Sequence, residues 1–396
     1  MANSLGAYNA TFFAQEALIQ LEKALGLASR VYRGYEAERA SYGIGDTVNV
    51  PVPSSFAAQD HAPGSGSTAQ DIDAGTVPIR LDRHKEVKFA VSDRDLAYAS
   101  ERIIDDHLRP AAYALADSID QDLCGLYRFV PWAVDVTGSA GAGWVTSPRR
   151  RLRELLVPVD DGNLHLMVDP AIEQDFLGLD IFHAALVTGG TANQDALLRG
   201  SLGTRFGAEI FVNQNVRPHT AGTLISAGSD FEGVLDGAVS QGAASLAVDG
   251  FASGATVKAG DSFVIEGHAQ RYVVTEDATL ADGAGTLAIH PAAAADYANG
   301  AVVSFEDGTG SAAGSFSANL MFHRNFAALV LAPLPATGDG RGAQIESVTD
   351  PVTGLSLRAR MWYDGDTATN YVALDVLYGL TVLDGNLAVR LRRPLS

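Results

Sequence analysis

The stretch from residue 93 to 128 constrains the fold most. Leu96, Ile103, Ile104, Leu108, Leu115, Ile119, Leu123 and Leu126 recur at three-to-four spacing, the period that lines up one face of an α-helix. Ser92 opens a Ser-x-x-Asp sequence ending at Asp95, which reads as an N-terminal cap. Pro110 falls in the middle, where a kink or a restart is expected because proline has no backbone N–H to give. As one helix the segment would span roughly 50 Å at ~1.5 Å per residue. That is long for the interior of a globular enzyme and suits a structural strut.

The residues before it alternate with the period of a strand. Asp46-Thr47-Val48-Asn49-Val50-Pro51-Val52 is one alternating run, and Val77, Ile79 and Leu81 through Val87, Phe89 and Val91 form a second. Between them lies Ala62-Pro63-Gly64-Ser65-Gly66-Ser67-Thr68, a polar, small-residue tip. Two long strands joined by such a tip predict a hairpin arm, since a hairpin in a core usually turns in a few residues. Further upstream, residues 10–28 read as a helix. Phe12, Phe13, Leu18, Leu21, Leu25 and Leu27 carry its stripe, Asn9 or Thr11 its cap, and Gly34 and Gly43–Gly45 its break.

From 130 to 230 short helices and strands alternate. Ser147-Pro148 opens a helix through Leu156, Leu164–Val168 is a strand, Asp169-Pro170 caps a helix through Leu177, and Glu209–Val212 is another strand. From about 232 to 308 helical periodicity vanishes. Short strands at Ser245–Val248, Ser262–Glu266, Gln270–Thr275, Thr286–His290 and Ala301–Phe305 are punctuated by Gly, Asp and Ala turns. That spacing predicts a small antiparallel barrel or sandwich inserted into its surroundings, followed by a Gly/Ser/Ala linker at 306–316. The rest holds an apolar segment at Asn325–Leu331, a loop at Pro333–Gly342 and strands at Ser356–Met361, Tyr371–Leu377 and Leu387–Arg392. No internal repeat is visible, and the length of 396 residues suits two or three structural units.

Composition enters where function classes must be excluded. With 47 acidic against 28 basic residues the net charge is −19, and only Lys23, Lys85, Lys88 and Lys258 are lysines. A specific nucleic-acid binder needs a basic face to displace counterions from phosphate, and none is present. No apolar run approaches the ~18 residues that cross a membrane, and Met1-Ala2-Asn3-Ser4 lacks the regions of a signal peptide. The single Cys124 excludes an intrachain disulfide and a cysteine-based metal site.

Catalytic motifs are missing as well. No lysine follows a glycine, so there is no Gly-Lys-Ser/Thr phosphate loop, and neither Gly-x-Ser-x-Gly nor His-Glu-x-x-His occurs. Gly308-Thr309-Gly310 and Gly338-Asp339-Gly340 do not follow strands in a βαβ context. His107 beside Asp105 and Asp106 reads as a solvated or interface face before a metal site. Cys124 reads as a small core or interface residue before a nucleophile. Asp282-Gly283 reads as a β-turn before a calcium loop. No cofactor and no catalytic residue is expected.

The dense basic cluster Arg149, Arg150, Arg151 and Arg153 has three readings: a solvated helix face, an intersubunit ion-pair patch, or a contact to packaged DNA. In so acidic a chain the second is favoured, because a planar guanidinium pairs well with a carboxylate across an interface.

Several stretches together resemble one family. Ala14–Glu22 resembles an opening helix, Leu81–Phe89 the return strand of an extended loop, and Arg109–Ala116 with Ile119-Asp120 a spine helix. Gly203–Asn213 resembles a strand-turn element, and Tyr371–Gly379 a last strand. In this order they are similar to the major capsid proteins of short-tailed phages, the coat type with an inserted β domain on the Hong Kong ninety-seven capsid fold. The resemblance implies an α+β chain. Its parts would be an N-terminal arm at 1–45, an extended hairpin loop at 46–92 and the spine helix of a peripheral domain at 93–135. An axial domain at 136–231, an inserted β domain at 232–308 and the remainder of both domains at 309–396 would follow.

It also implies a non-enzymatic subunit that assembles in the host bacterial cytoplasm into hexamers and pentamers of an icosahedral shell. A scaffolding protein and a portal protein would be partners, double-stranded DNA would be touched only nonspecifically, and no membrane would be involved. Arg149, Arg150, Arg151, Arg153, Lys85 and Lys88 are the candidate intersubunit contacts. Some relatives crosslink a lysine to an asparagine, but nothing assigns that chemistry to Lys85 or Lys88, and a start of the first helix near residue 10 argues against a fused scaffold. Two competing readings are a decoration or adhesion protein of the virion, and a hydrolase with a β accessory domain. The first predicts that the 232–308 section binds alone. The second needs a convergent acid/base set that the sequence lacks.

Overall fold

Ala14, Ala17, Leu18 and Leu21 share one stripe of the helix Ala10–Ala24 and are buried, as their spacing requires. The computed structural model describes residues 10–33, 47–51, 69, 75–92, 102–136, 138–183, 200–226, 231–305, 315–336, 343–349 and 355–395. Helices and strands are mixed throughout them, and the chain divides into two units.

The first unit comprises Met1–Ala24, Tyr32–Ala116 and Ala328–Leu383. Its centre is a five-stranded sheet in which Ala327–Ala332, Thr369–Val382, Ser356–Asp364 and Ala343–Thr349 follow one another. The helix Ala10–Ala24 lies on the last two of these strands. A small two-stranded sheet pairs Thr47–Pro51 with Thr76–Arg80, Val48 standing opposite Ile79 and Val50 opposite Val77. Alternation puts Val48, Val50 and Ile79 on one side, where they pack with Leu81 against Ala328, Val330 and Ala332.

The return strand does not continue along this hairpin to Val91. It breaks at Leu81-Asp82, and Arg83–Ser92 crosses to pair with Thr369–Val382, Arg83 opposite Tyr378 and Ser92 opposite Thr369. Alternation identifies a strand but names no partner. The five residues of Thr47–Pro51 offer a short ladder, whereas Thr369–Val382 satisfies ten consecutive residues of the return strand. Gly379 permits the crossing, because a Cβ there would stand 2.4 Å from the Arg80 carbonyl oxygen. The hairpin tip at 62–68 lies outside the described residues.

The long helix runs from Arg102 to Cys124 and passes through Pro110 without a restart. Its 23 residues span roughly 35 Å at ~1.5 Å per residue, and a 3₁₀ turn, Gly125–Phe129, extends it. Ser92 is the last residue of a strand, while the rest of the expected cap at 93–95 lies outside the described residues.

The second unit comprises Leu25–Val31, Asp117–Ala327 and Asp384–Ser396. A seven-stranded mixed sheet orders Ala133–Asp135, Ala388–Pro394, Ser315–His323, Leu164–Val168, Ala208–Val212 and Thr204–Arg205, with Pro218–Thr220 also on Ser315–His323. All five residues of Leu164–Val168 are buried, which is why that segment reads as an apolar run. Asp169 caps the next helix, accepting the Ile172 N–H at 2.8 Å, with Pro170 in the first turn as expected. The arginine-rich helix begins at Gly143, one turn before the expected Ser147-Pro148 start, and holds Pro148 inside. Burial of Trp144 and Val145 extends it backwards, a tertiary effect that overrides the local proline signal.

Residues 232–305 close a six-stranded antiparallel barrel: Ser245–Asp249, Gly285–His290, Arg271–Val274, Ser262–Ile265, Val302–Phe305 and Glu232–Leu235. Its first strand, Glu232–Leu235, was not among the strands expected from the sequence; it pairs with the last, Glu232 opposite Ser304. Phe263, Tyr272, Leu287 and Val303 fill a core separate from that of the sheet. Asp282 and Gly283 both take positive φ, 53° and 86°, and form the anticipated tight turn.

Candidate assembly surfaces

The four arginines of the helix Gly143–Glu154 find partners within the chain. Arg149 and Arg153 both reach Asp160, the former with Nη2 at 2.5 Å. Arg150 Nε lies 3.3 Å and Arg151 Nη1 2.9 Å from the Glu154 carboxylate, at i,i+4 and i,i+3 spacing. Arg151 also stands 4.0 Å over the Trp132 ring. Exposed pairs of this kind each contribute well under about 1 kcal/mol. Among the described residues these four guanidiniums share two carboxylates, Asp160 and Glu154, and the Arg150 side chain is 78% exposed.

Lys85 and Lys88 do not share a face. They are three residues apart in one strand, so the pleat points them to opposite sides. Lys88 Nζ sits 4.7 Å from the Trp362 ring centroid and 4.3 Å from that of Tyr371, two stacked rings 5.3 Å apart. The same register rows carry an ion cluster that the sequence did not reveal. Asp375 is fully buried and receives Arg358 Nε at 3.0 Å and Nη2 at 2.6 Å. Arg360 Nη2 bridges Asp375 at 3.1 Å and Glu86 at 2.6 Å, and His84 Nε2 lies 3.4 Å from Asp375. The available signal was the Arg-x-Arg alternation at 358–360 together with a lone aspartate in the apolar run 371–377. Neither names the other.

A second polar network is buried in the other unit. Tyr127 Oη lies 3.0 Å from His219 Nδ1, and His219 Nε2 lies 3.0 Å from Asp261 Oδ1. Asp261 Oδ2 accepts the N–H groups of Gly222 and Lys258, at 3.0 and 2.7 Å. Arg390 donates to the Gly260 carbonyl at 2.5 Å. These bonds tie the barrel to the sheet and to the turn after the long helix. His219 and Asp261 are buried, so the triad is a structural joint out of reach of any substrate. Asp120 accepts three backbone N–H groups, from Gly26, Leu27 and Ala28, at 2.7, 3.2 and 2.9 Å. Burial nonetheless pushes its carboxyl above the ordinary range, outweighing the three donors.

The chemistry weighed from the sequence falls into place around these surfaces. Cys124 is buried with its Sγ 3.8 Å from Met167 Sδ, and burial raises its thiol far above the range of a reactive cysteine. His107 is exposed with its ring 6.0 Å from that of Phe89; the side chains of Asp105 and Asp106 lie outside the described residues, as do Gly308–Gly310 and Gly338–Gly340. Among the described residues no three His, Cys, Asp or Glu side chains gather as a metal site. No described helix is long and apolar enough to cross a membrane.

No family model matches the sequence, and no curated protein matches it. Among solved structures the chain is similar to one from Mycobacterium phage Che8, at a TM-score of 0.50 and 17% identity over 93% of this chain and 90% of that one. The capsid structure of cyanophage P-SCSP1u has a TM-score of 0.47 and 12% identity over 89% of this chain and 85% of that one. For the mature capsid of bacteriophage PhiM1 the values are 0.44 and 8%, over 88% and 82%. The first of these likenesses shows a shared fold, and at 17% identity the fold alone.

Proposed function

We propose that this chain is the shell-forming subunit of a tailed-phage capsid, a structural protein and not an enzyme. On this reading it adopts the Hong Kong ninety-seven fold, with residues 232–308 as an inserted domain. It self-associates into the hexamers and pentamers of an icosahedral shell around double-stranded DNA. Assembly takes place in the bacterial cytoplasm with a scaffolding protein, the portal protein joins the shell, and the product resides in the virion.

The observation that carries the reading is the likeness of fold to the Mycobacterium phage Che8 structure across 93% of this chain. The barrel is compatible with an insertion, since its first and last strands pair and the chain enters and leaves at adjacent points. The net charge of −19 suits a container whose contents must later leave, because it limits adhesion to packaged DNA.

Expression of the chain with and without a scaffolding protein, followed by sedimentation and negative-stain imaging, tests the reading. Closed shells or capsomer-sized oligomers are expected. Monomers under every assembly condition would refute it.

A further inference from the structure

The helix Gly143–Glu154 ends in a Schellman turn. Leu156 N–H donates to the Arg153 carbonyl and Val157 N–H to the Leu152 carbonyl, both at 3.0 Å. The left-handed position of that turn, at φ 60°, is held by Leu156. Glycine or asparagine is ordinary there, because in this conformation a Cβ crowds the following carbonyl. Leu156 is also 90% exposed, so its side chain gains almost no packing within this chain in return.

The same combination recurs next to that helix. Phe206 and Gly207, at φ 50° and 76°, form the two-residue turn between Thr204–Arg205 and Ala208–Val212, a turn that favours Asn-Gly. Phe206 is 38% exposed. The Arg149 guanidinium lies against Gly207, where a Cβ would meet its Nη2 at 3.2 Å. The phenylalanine turn is therefore beside the helix that Leu156 ends. Arg150, on the same helix, keeps a side chain that is 78% exposed.

We infer that Leu156 and Phe206 form a docking surface for a second copy of this chain. Apolar exposure is removed when a neighbour covers the two side chains, and that burial offsets the backbone strain the subunit carries at both turns. The flanking arginines match a second copy because a chain of net charge −19 presents acidic surface to them. Apolar tips offer nothing to a phosphate backbone, so a protein fits the surface better than nucleic acid. The inference rests on the shell reading for the existence of self-association and adds where it occurs.

The test uses the full chain with Leu156→Asn and Phe206→Asn, singly and together. Asparagine is at home in both conformations, so each subunit is expected to melt at an unchanged midpoint or one raised by about 1–3 °C. The concentration needed for self-association, followed by sedimentation velocity, is expected to rise about tenfold for each substitution. Arg150→Glu adds to the loss. Normal assembly by the double variant, while the wild type assembles, overturns this inference alone. Lost assembly with a lowered melting midpoint also overturns it, since the residues then stabilise the subunit itself. Normal self-association with lost binding to a different assembly protein overturns the choice of partner. A wild-type chain that never self-associates removes the shell reading and this inference with it.

Discussion

Asp375 offers the sharpest test of how the first unit is held together. Its carboxylate has no exposed surface, receives two hydrogen bonds from Arg358, and makes an ion pair with Arg360 and a longer contact with His84. Asp375→Ala removes the carboxylate that neutralises Arg358, whose side chain is only 14% exposed, and leaves it the Pro335 carbonyl at 3.2 Å. Arg360, at 25% exposure, keeps Glu86 at 2.6 Å. Breaking a buried pair from one side costs about 3–5 kcal/mol. Because Glu86 compensates one of the two arginines, the lower end, about 3 kcal/mol, is expected here. Replacing both partners, as Asp375→Leu with Arg358→Met, takes away the stranded charge and should cost only about 1 kcal/mol. Urea unfolding of the unassembled subunit, followed by circular dichroism and by the fluorescence of Trp362 in the same sheet, measures these differences. A cost below about 1 kcal/mol for Asp375→Ala, or a double variant that merely sums the losses of Asp375→Leu and Arg358→Met made singly, would refute the reasoning.

Two further outcomes follow from the geometry. His165 and His290 are both held below the usual imidazole value of 6.5 by burial, which outweighs the support of Glu209 for the first and of Asp384 for the second. The unfolded chain therefore binds protons near pH 6.5 while the folded chain resists. Stability is full above that point and falls as pH drops toward the depressed folded values. Glu209, pulled down by its bond to Arg30, loses its contribution only below the ordinary carboxylate range, so it does not interfere between pH 5 and 6.5. Thermal melts over that interval should show the decline, and His290→Gln should flatten it; identical slopes in both proteins would count against burial as the cause. Separately, Gly379→Ala should cost about 1–3 kcal/mol, since its Cβ would fall 2.4 Å from the backbone oxygen of Arg80. Denaturant titration checks this, and an unchanged midpoint would mean that the strand crossing is looser than it stands.

Much of the layout was legible because it depends on near neighbours. Asp169-Pro170 declares a helix start by itself, since the aspartate side chain and the proline φ act within one turn. The barrel strands at Ser245, Ser262 and Gly285 were readable from alternation cut by glycine and aspartate turns. The arginine cluster was equally visible, yet its pairing with Asp160 was not, because Asp160 lies beyond the end of the helix and its approach depends on how the chain turns at Leu156. The left-handed leucine there carries no sequence signal at all, as nothing in its neighbours requires a positive φ.

Periodicity, turn chemistry and charge, all properties of a few consecutive residues, determined the helices, most of the strands and the absence of a phosphate loop or nucleophile elbow. Tertiary structure alone decided which strand Arg83–Ser92 would pair with, and so brought Glu86 beside Arg360 and Asp375. It also decided that Asp375 would be buried among cations and that Trp144 would draw a helix back past its proline. The physical reason is common to these cases. A strand's hydrogen-bonding groups are the same at every residue and accept any partner, so register and burial are settled only when segments nearly three hundred residues apart compete for the same edge.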